Sequence, residues 1–514
     1  MTFRVFACVF VLMAVGSGAI AEEEAPVITG FTGGRIKWKS KTNEQYRIEW
    51  AWKLDGSNTV WSTNWSAPQE VAGTGVTTSA SVPAFYRVVK MATHKSLPSP
   101  SAWSAYDAKS TSGLNTEGFG GTIFDGRHVY FIPYYDADAS GYHGRVLRFD
   151  TKSNFTNAAS WTAYDAGSTD GLNTKGYYGG VCDGRYLYFS PICNSSLRHG
   201  IVLRHDTEMD FTNSASWDAY DAGNTDGLTT RGYVGAIYDG RYVYFGPHAY
   251  GAPGPVSAGQ YHCNVLRYDT RGHSFTNTSS WAAYDASATG GMDMRGFNSG
   301  VYDGRYIYYV PRSIGSVRHG RVLRLDTQGG FTNAASWAAY DAGNTDGLST
   351  IGYRGGVFDG RYVYFVPNHD GVDTHGRVMR YDTQSAFTDS TSWEAYDAGN
   401  VDGLLTVGYE GGTFDGRYIY FAPIYESNPT VYHGRVMRYD TNTPFKNANS
   451  WQAYDATNTD GMNCTGYIAI AFDGRFLYFS PWRSQFSSYH GRILRFDSRW
   501  PHKLPPEISG GSCY

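Results

Sequence analysis

Seven copies of one block run along this chain of 514 residues, and three separate phrases count them. Trp103, Trp161, Trp217, Trp281, Trp337, Trp393 and Trp451 open a W-x-A-Y-D phrase. Asp125, Asp183, Asp239, Asp303, Asp359, Asp415 and Asp473 open D-G-R. His143, His199, His262, His319, His375, His433 and His490 precede a V-L-R-Y-D-like phrase, usually as H-G-R. Successive tryptophans are 58, 56, 64, 56, 56 and 58 residues apart, and the D-G-R phrases keep the same intervals. A fixed period of this length makes each unit one supersecondary module that cannot bury its faces alone.

Residues 161 to 210 show the grammar of one block. Trp161 to Asp165 is a short aromatic strand, the run to Lys175 is rich in turn formers, and Gly176 to Cys182 is small and apolar. Asp183-Gly184 is the strongest short hairpin signal a sequence offers. Arg185 to Ser190 reads as a buried strand stopped by Pro191, and Ile201 to Asp206 as the next strand. No block has a segment of helical period. Four short antiparallel strands, seven times over, predict an all-β fold, a seven-bladed β-propeller of four-stranded blades. Strand A is the Gly-rich one, B follows D-G, C carries V-L-R-Y-D and D carries the tryptophan.

The array opens on an isolated strand D at 101–107 and finishes on a strand C, Arg492 to Asp497. The N-terminal D strand is therefore expected to complete the last blade and remove the free edges an open array would expose. This places the propeller at 101–498, with a tail at 499–514. Residues 26–92 form a separate unit whose runs around Arg35–Trp38, Tyr46–Trp50, Thr77–Val82 and Phe85–Val89 alternate like half-buried strands. Residues 93–100, with Pro98 and Pro100, read as a linker.

The 26–92 unit resembles the small β-sandwich modules that precede catalytic or binding domains in secreted bacterial proteins. The blades resemble secreted bacterial propeller repeats, and their Gly-Gly pairs (Gly179-Gly180, Gly355-Gly356) are faintly kelch-like. The kelch tyrosine–tryptophan spacing is absent, so no kelch partner or residue is carried over.

Residues 1–21 carry Arg4, an apolar run from Val5 to Val15 and then Ala19-Ile20-Ala21, the pattern of a cleaved secretory signal. The expected location is secreted or periplasmic. Cys8 leaves with the signal, and Cys182, Cys193, Cys263, Cys464 and Cys513 match no zinc spacing. A formal net charge of −4 with no basic run gives no footprint for nucleic acid or an acidic membrane surface.

Most repeated residues are expected to build blades. Strand C lies about 15 Å from the axis by strand spacing, so the seven histidines are too far apart to share a metal. Each is expected to bond a neighbouring loop carbonyl. The D-G-R arginines and the Y-D-T aspartates, such as Arg361 and Asp382, read as paired charges holding blades together. The D-to-A loop repeats two aspartates, as in Asp165/Asp170, Asp221/Asp226, Asp341/Asp346, Asp397/Asp402 and Asp455/Asp460. It reads first as a turn, with calcium as the alternative, since the spacing is not that of a calcium loop. No other cofactor is expected.

Function is sought where the repeats differ, because shared positions are occupied building blades. The slot two after the shared strand-A glycine reads Gly120, Tyr178, Val234, Asn298, Arg354, Glu410 and Ile468. The slot before that glycine reads Glu117, Lys175, Arg231, Arg295, Ile351, Val407 and Thr465. Together they predict a cation-biased upper mouth, with Arg354 and Glu410 close enough to pair. The B-to-C loops add Tyr134, Tyr135, His248, Arg312, His369, Asp370, Tyr425, Glu426, Trp482 and Arg483 to that face. Blade three departs most, through its long loop Pro247–Tyr261, its His-Cys-Asn in place of His-Gly-Arg, and its altered Ser287–Met294.

Three functions compete on these residues. The first is a non-catalytic binding protein for an extracellular polysaccharide, with anionic polysaccharides among its candidate ligands. Its site would comprise Lys175, Tyr178, Arg231, His248, Arg295, Asn298, Arg312, Arg354, His369, Glu410, Tyr425, Trp482 and Arg483. The second is a polysaccharide lyase or hydrolase, for which His248, His369, Tyr425, Arg312 and Arg483 could supply parts. The only near carboxylate pair is Asp370 and Glu426. The third is a protein-interaction scaffold.

Overall fold

The computed structural model describes residues 93–500 apart from 137–140, 196, 253–256, 427–430 and 486–487, together with six strands between Ile28 and Lys90. Those six strands form two three-stranded antiparallel sheets. One sheet is Ile28–Thr32, Arg35–Lys39 and Thr77–Ser81, and the other is Glu70–Ala72, Gln45–Ala51 and Phe85–Lys90. The signal at 1–21, Cys8, Cys513 and the tail from 501 onward lie outside the described residues.

The ring is a seven-bladed propeller of four-stranded antiparallel sheets ordered A-B-C-D. In blade 2, for instance, Tyr177–Cys182, Tyr186–Pro191, Ile201–Asp206 and Trp217–Asp221 follow one another across the sheet. Each strand B ends on its proline, where a missing N–H loosens no further pairing. Blade 7 takes Tyr467–Phe472, Phe476–Pro481 and Arg492–Asp497 from the C-terminal end, and Trp103–Asp107 as its D strand. The expected closure is the one observed, with Arg492 opposite Asp107 and Phe496 opposite Trp103.

The repeated phrases are the material of the interfaces between blades. Each tryptophan donates its indole N–H to a carbonyl six residues earlier, as Trp161 does to Phe155 at 2.9 Å. Its ring then stacks on the W-x-A-Y-D tyrosine of the preceding blade, Trp161 on Tyr106 with centroids 5.1 Å apart and Trp217 on Tyr164 at 5.4 Å. Strand-C arginines lie over the next blade's phenylalanine, as Arg204 over Phe275 and Arg324 over Phe387, both near the 4–5 Å of a cation–π contact. The strand-B tyrosine donates its hydroxyl to the D-G aspartate of its own blade, Tyr188 to Asp183 at 2.8 Å, while its ring packs on Tyr268 of the next.

The D-G-R arginines do pair with the Y-D-T aspartates, but within a blade rather than between blades. Arg185 meets Asp206 at 2.6 Å and Arg361 meets Asp382 at 2.7 Å. The reason is register: strand B begins opposite the end of strand C, as Tyr186 faces Asp206, so the arginine one residue earlier reaches no farther than its own sheet. Half-exposed pairs of this kind contribute little, about 0–1 kcal/mol each.

The D-to-A aspartates take up backbone donors. Asp165 accepts the Gly167 N–H, closing a local turn, and Asp170 accepts the Ala219 N–H on the outer strand of the next blade at 2.9 Å. Asp226, Asp346, Asp402 and Asp460 do the same for Ala283, Ala395, Ala453 and Ala105. All stand in the left-handed region, Asp170 with φ +52°, which Asp tolerates better than most residues. The two copies that lack the aspartate carry Ser112, which bonds Ala163 in the same way, and Gly290.

Residues 93–100, set down above as a linker, are built into the ring. Thr93–His94 pair with Arg499–Trp500, and the Lys95 ammonium meets Asp497 at 2.9 Å. Leu97 is fully buried and its carbonyl accepts the Trp103 indole N–H. It stands six residues before Trp103, where Phe155 stands before Trp161, so this segment is the seventh copy of the C-to-D connection. The prolines mislead because Pro100 opens a short 3-10 turn, where its missing N–H leaves no bond unmade.

The ring histidines hold loop carbonyls, as expected. Nε2 of His143, His262, His319, His375, His433 and His490 lies 2.8–3.0 Å from the carbonyl preceding the shared glycine. Nδ1 accepts the N–H two residues on, as His375 does from Arg377. Protonation would set a second donor against that N–H. Burial accordingly lowers His143, His375, His433 and His490 to about 3 and His199, His262 and His319 to about 4. An unfolded histidine titrates near about 6.5, so between there and about pH 4 the unfolded chain binds protons the folded ring refuses. Stability is full above about pH 6.5 and falls as pH drops, at about 1.4 kcal/mol per histidine per pH unit. Thermal unfolding at pH 5 in buffers of different ionisation enthalpy is expected to show uptake of about seven protons or more. A Tm unchanged between pH 7 and pH 5 would contradict the assignment.

Candidate functional site

The starts of the A strands and the B-to-C loops share one face, and three slots per blade converge there. The innermost is the residue two after the shared glycine. Beyond it lies the residue after the strand-B proline: Tyr134, Ile192, His248, Arg312, Asn368, Ile424 and Trp482. The third is the residue before the ring histidine: Tyr142, Arg198, Tyr261, Arg318, Thr374, Tyr432 and Tyr489.

The shared glycine is required by the carbonyl of its own B-to-C loop, with the third-slot side chain packed over it. A Cβ on Gly352 would lie 2.0 Å from the His369 carbonyl and 3.4 Å from Arg318, and one on Gly176 would lie 1.6 Å from the Cys193 carbonyl and 2.8 Å from Tyr142. Each blade thus lays its third-slot side chain over the next blade's glycine, which holds φ near +70°.

The three slots divide the mouth into two halves. Blades 6, 7, 1 and 2 supply most of the apolar and aromatic side chains. Tyr178 packs with Tyr425, Trp482, Tyr432 and Ile468, and on its other side with Tyr134, Tyr142 and Ile192. Tyr134 meets Tyr178 edge-on with centroids 5.4 Å apart. Arg483 lies over the Trp482 ring at 4.4 Å and is hydrogen-bonded to Tyr489.

The polar and charged side chains gather beside them: His248 of blade 3, Asn298, Arg312 and Arg318 of blade 4, Arg354 of blade 5 and Glu410 of blade 6. Glu410, only 2% exposed, accepts from Tyr178 Oη and from Arg354 Nη1, both at 2.6 Å, a bond that joins blade 2 to blade 6 across the axis. Asn298 donates to the Arg354 carbonyl and accepts from Arg312 Nη1 at 3.3 Å. That same Nη1 lies 3.2 Å from His248 Nε2, whose Nδ1 faces the Phe297 carbonyl at 3.1 Å. His248 is therefore neutral with its proton on Nδ1, and burial and then Arg312 hold its pKa well below the usual range. Burial, and next the Arg354 charge, push the Arg312 guanidinium down to about 10. Ser299, beside Asn298, holds φ +69°, where blades 1 to 3 have glycine. A left-handed serine costs about 1–2 kcal/mol, so strain sits at this point of the mouth.

The structure brings together Tyr178, His248, Asn298, Arg312, Arg354 and Glu410. It adds Tyr425, whose hydroxyl donates to Asn368 Oδ1 at 3.3 Å, and Trp482 and Arg483 on the aromatic side. His369 is half-buried beside Arg318, its Nδ1 accepting the Gly371 N–H. Three expected cations are not brought in. Arg295 is held by Asp293 at 2.6 Å and by the Ala258 carbonyl, while Arg231 and Lys175 lie against Gly223 and Gly167 of the D-to-A loops. The cause is the positive-φ glycine between the two slots, which turns successive side chains apart. Asp370 and Glu426 do not form a carboxylate pair, since each is tied to its own strand C, by Arg377 and Arg435.

Arg198 and Arg318 are the residues that sequence reasoning missed. Arg198 is buried near His248, and Arg318 faces Arg354 and His369. Aligning the slot before the seven histidines would have found them, because it holds arginine in only these two blades. Of the departures of blade three, Cys263 of the altered strand C shares a cluster with Met294 of the altered D-to-A loop. Tyr261 packs with Ala249 and with Ile314 of blade 4, and Arg295 bonds Ala258.

The glycine argument separates clash from strain. Gly352→Ala is expected to cost about 3 kcal/mol or more in urea unfolding, since its Cβ meets the His369 carbonyl. Gly347→Ala, with φ +75° and open space around it, is expected to cost only about 1–2 kcal/mol. Equal losses would contradict the packing described.

No family model matches this chain, and no curated protein does. Among solved structures, 234 chains match, and a likeness so widely shared reflects an architecture rather than an activity. One of them is PorZ, described as an essential bacterial surface component of the type-IX secretion system of Porphyromonas gingivalis. Similarity to it has a TM-score of 0.48 and 11% identity, covering 90% of this chain and 55% of PorZ. The chain thus spans about half the length of that relative.

Proposed function

We propose that this protein is a non-catalytic binding protein of the secreted or periplasmic space that takes a polysaccharide across the loop-bearing face of its propeller. The carrying observation is the divided mouth. Half-buried tyrosines and a tryptophan stand on one side and arginines on the other, the complement of a sugar ring with an apolar face and polar substituents. The groups an enzyme would use are already engaged. Both His248 nitrogens have partners, and Asp370 and Glu426 are neutralised by arginines. Burial pushes Asp370 up, but the Asp373 and Val372 N–H groups and the Arg377 guanidinium outweigh it and hold the carboxyl down to about 2, which keeps it from acting as an acid.

A second reading, a scaffold for a protein partner, has its own observation. Exposed aliphatic side chains sit at B-to-C loop tips on the same face: Leu197 at 54%, Val317 at 64%, Val372 at 83% and Val431 at 49%.

A glycan array with the secreted chain, at low and moderate salt, decides between them. Retention of polysaccharides is expected, with Trp482→Ala lowering affinity about tenfold, or about 1.4 kcal/mol. A blank array, together with a protein partner lost on replacing Val317 and Val372, would establish the second reading instead.

A further inference from the structure

The cationic half of the mouth is not electrically balanced. Three arginines stand there: Arg354, bonded to Glu410; Arg312, bonded to the Asn298 side chain that also holds the Arg354 carbonyl; and Arg318, laid against Gly352 two residues before Arg354. Asp370, near Arg318, is already paired with Arg377 at 2.7 Å, and His248 and His369 are disfavoured as cations by burial. Arg312 has the Arg354 charge beside it, and its Nε is buried without a hydrogen-bond partner among the described residues. Burying a guanidinium beside a second one is unfavourable unless an anion joins them. In blades 1, 5 and 6 the arginine that opens strand C is balanced by a loop carboxylate, Arg145 by Asp136, Arg377 by Asp370 and Arg435 by Glu426.

We infer that the mouth holds one singly charged oxyanion carried on a sugar, a uronic-acid carboxylate or a sulfate ester, between Arg312, Arg318 and Arg354. This rests on the proposed binding of polysaccharide and names the substituent it selects. Guanidinium forks match planar carboxylates and the oxygens of sulfate. Glu410 limits the guest to one charge. It lies 2.6 Å from Arg354 with its second oxygen buried and unpartnered, so a phosphate dianion would set two further negative charges against it. The aromatic half lies alongside through Tyr178, which bonds Glu410 while packing with Tyr425 and Trp482. The sugar ring therefore rests on the aromatic side with its charged substituent turned to the arginines.

Calorimetric titration of the secreted full chain tests this with three oligosaccharides of equal length: a polyuronate, its neutral counterpart and a sulfated counterpart. The polyuronate or the sulfated sugar is expected to bind at least tenfold more tightly than the neutral one, and which of the two does so identifies the source of the oxyanion. Arg318→Gln, which leaves the Glu410 bonds intact, and Arg354→Gln are each expected to bring that ratio close to one. Glu410→Gln is expected to raise affinity for the anionic sugar several-fold, an effect that loss of folding could not produce. Equal binding of charged and neutral sugars by the unaltered protein, or a ratio that survives both arginine changes, overturns the inference and leaves glycan binding standing. Binding of none of the three overturns both.

Discussion

Every blade buries its tryptophan against a tyrosine that another blade supplies. Trp217 lies on Tyr164, Trp281 on Tyr220, Trp337 on Tyr284, and the series runs on to Trp103 on Tyr454, with centroids 5.1–5.4 Å apart throughout. Stacked aromatic pairs contribute about 0.5–1.5 kcal/mol beyond the area they bury. Their larger effect is geometric. A blade has a tryptophan flank and a tyrosine flank, so it can be satisfied only by a neighbour on each side, and an array with loose ends would leave one of each uncovered. The N-terminal strand carries both Trp103 and Tyr106, and placing it in blade 7 completes two stacks at once.

That demand uses up the repeated residues. Tyrosine hydroxyls go to D-G aspartates, loop aspartates to the outer strand of the next blade, histidines to loop carbonyls, and arginines to phenylalanine faces. The closing interface shows how strict the requirement is. Arg438 has no next-blade phenylalanine, and donates instead to the Lys95 carbonyl, beside the Leu97 that replaces it. What that packing leaves unfixed is the set of slots at the mouth, where the proposed recognition lies. There the chain places aromatics in one arc and arginines in another.

How much of this could be read from sequence depended on whether a position belongs to the period. Blades, strand order and ring closure were legible because W-x-A-Y-D, D-G-R and the histidine recur at fixed distances, and their order at the two ends of the array implies a shared blade. The segment around Leu97 was not, because it departs from the phenylalanine of its equivalents and carries two prolines. Tyr178, Asn298, Arg354 and Glu410 were found together because one slot on one strand face names them. Lys175, Arg231 and Arg295 were grouped with them from spacing along the chain, which does not show that Lys175 and Arg231 lie against the D-to-A loops and that Arg295 pairs with Asp293. Arg198 and Arg318 escaped because their slot is filled by tyrosine in four other blades and looks like packing.

The central claim is that recognition is confined to the divided mouth while the shared positions only build the ring. Hydrogen–deuterium exchange of the protein, with and without an added acidic oligosaccharide, tests it most directly. Added protection is expected in the B-to-C loops and strand-A starts of blades 4 to 7, with exchange at the D-G turns of the opposite face unchanged. Protection that appears on that opposite face, or evenly around all seven blades, would contradict the account.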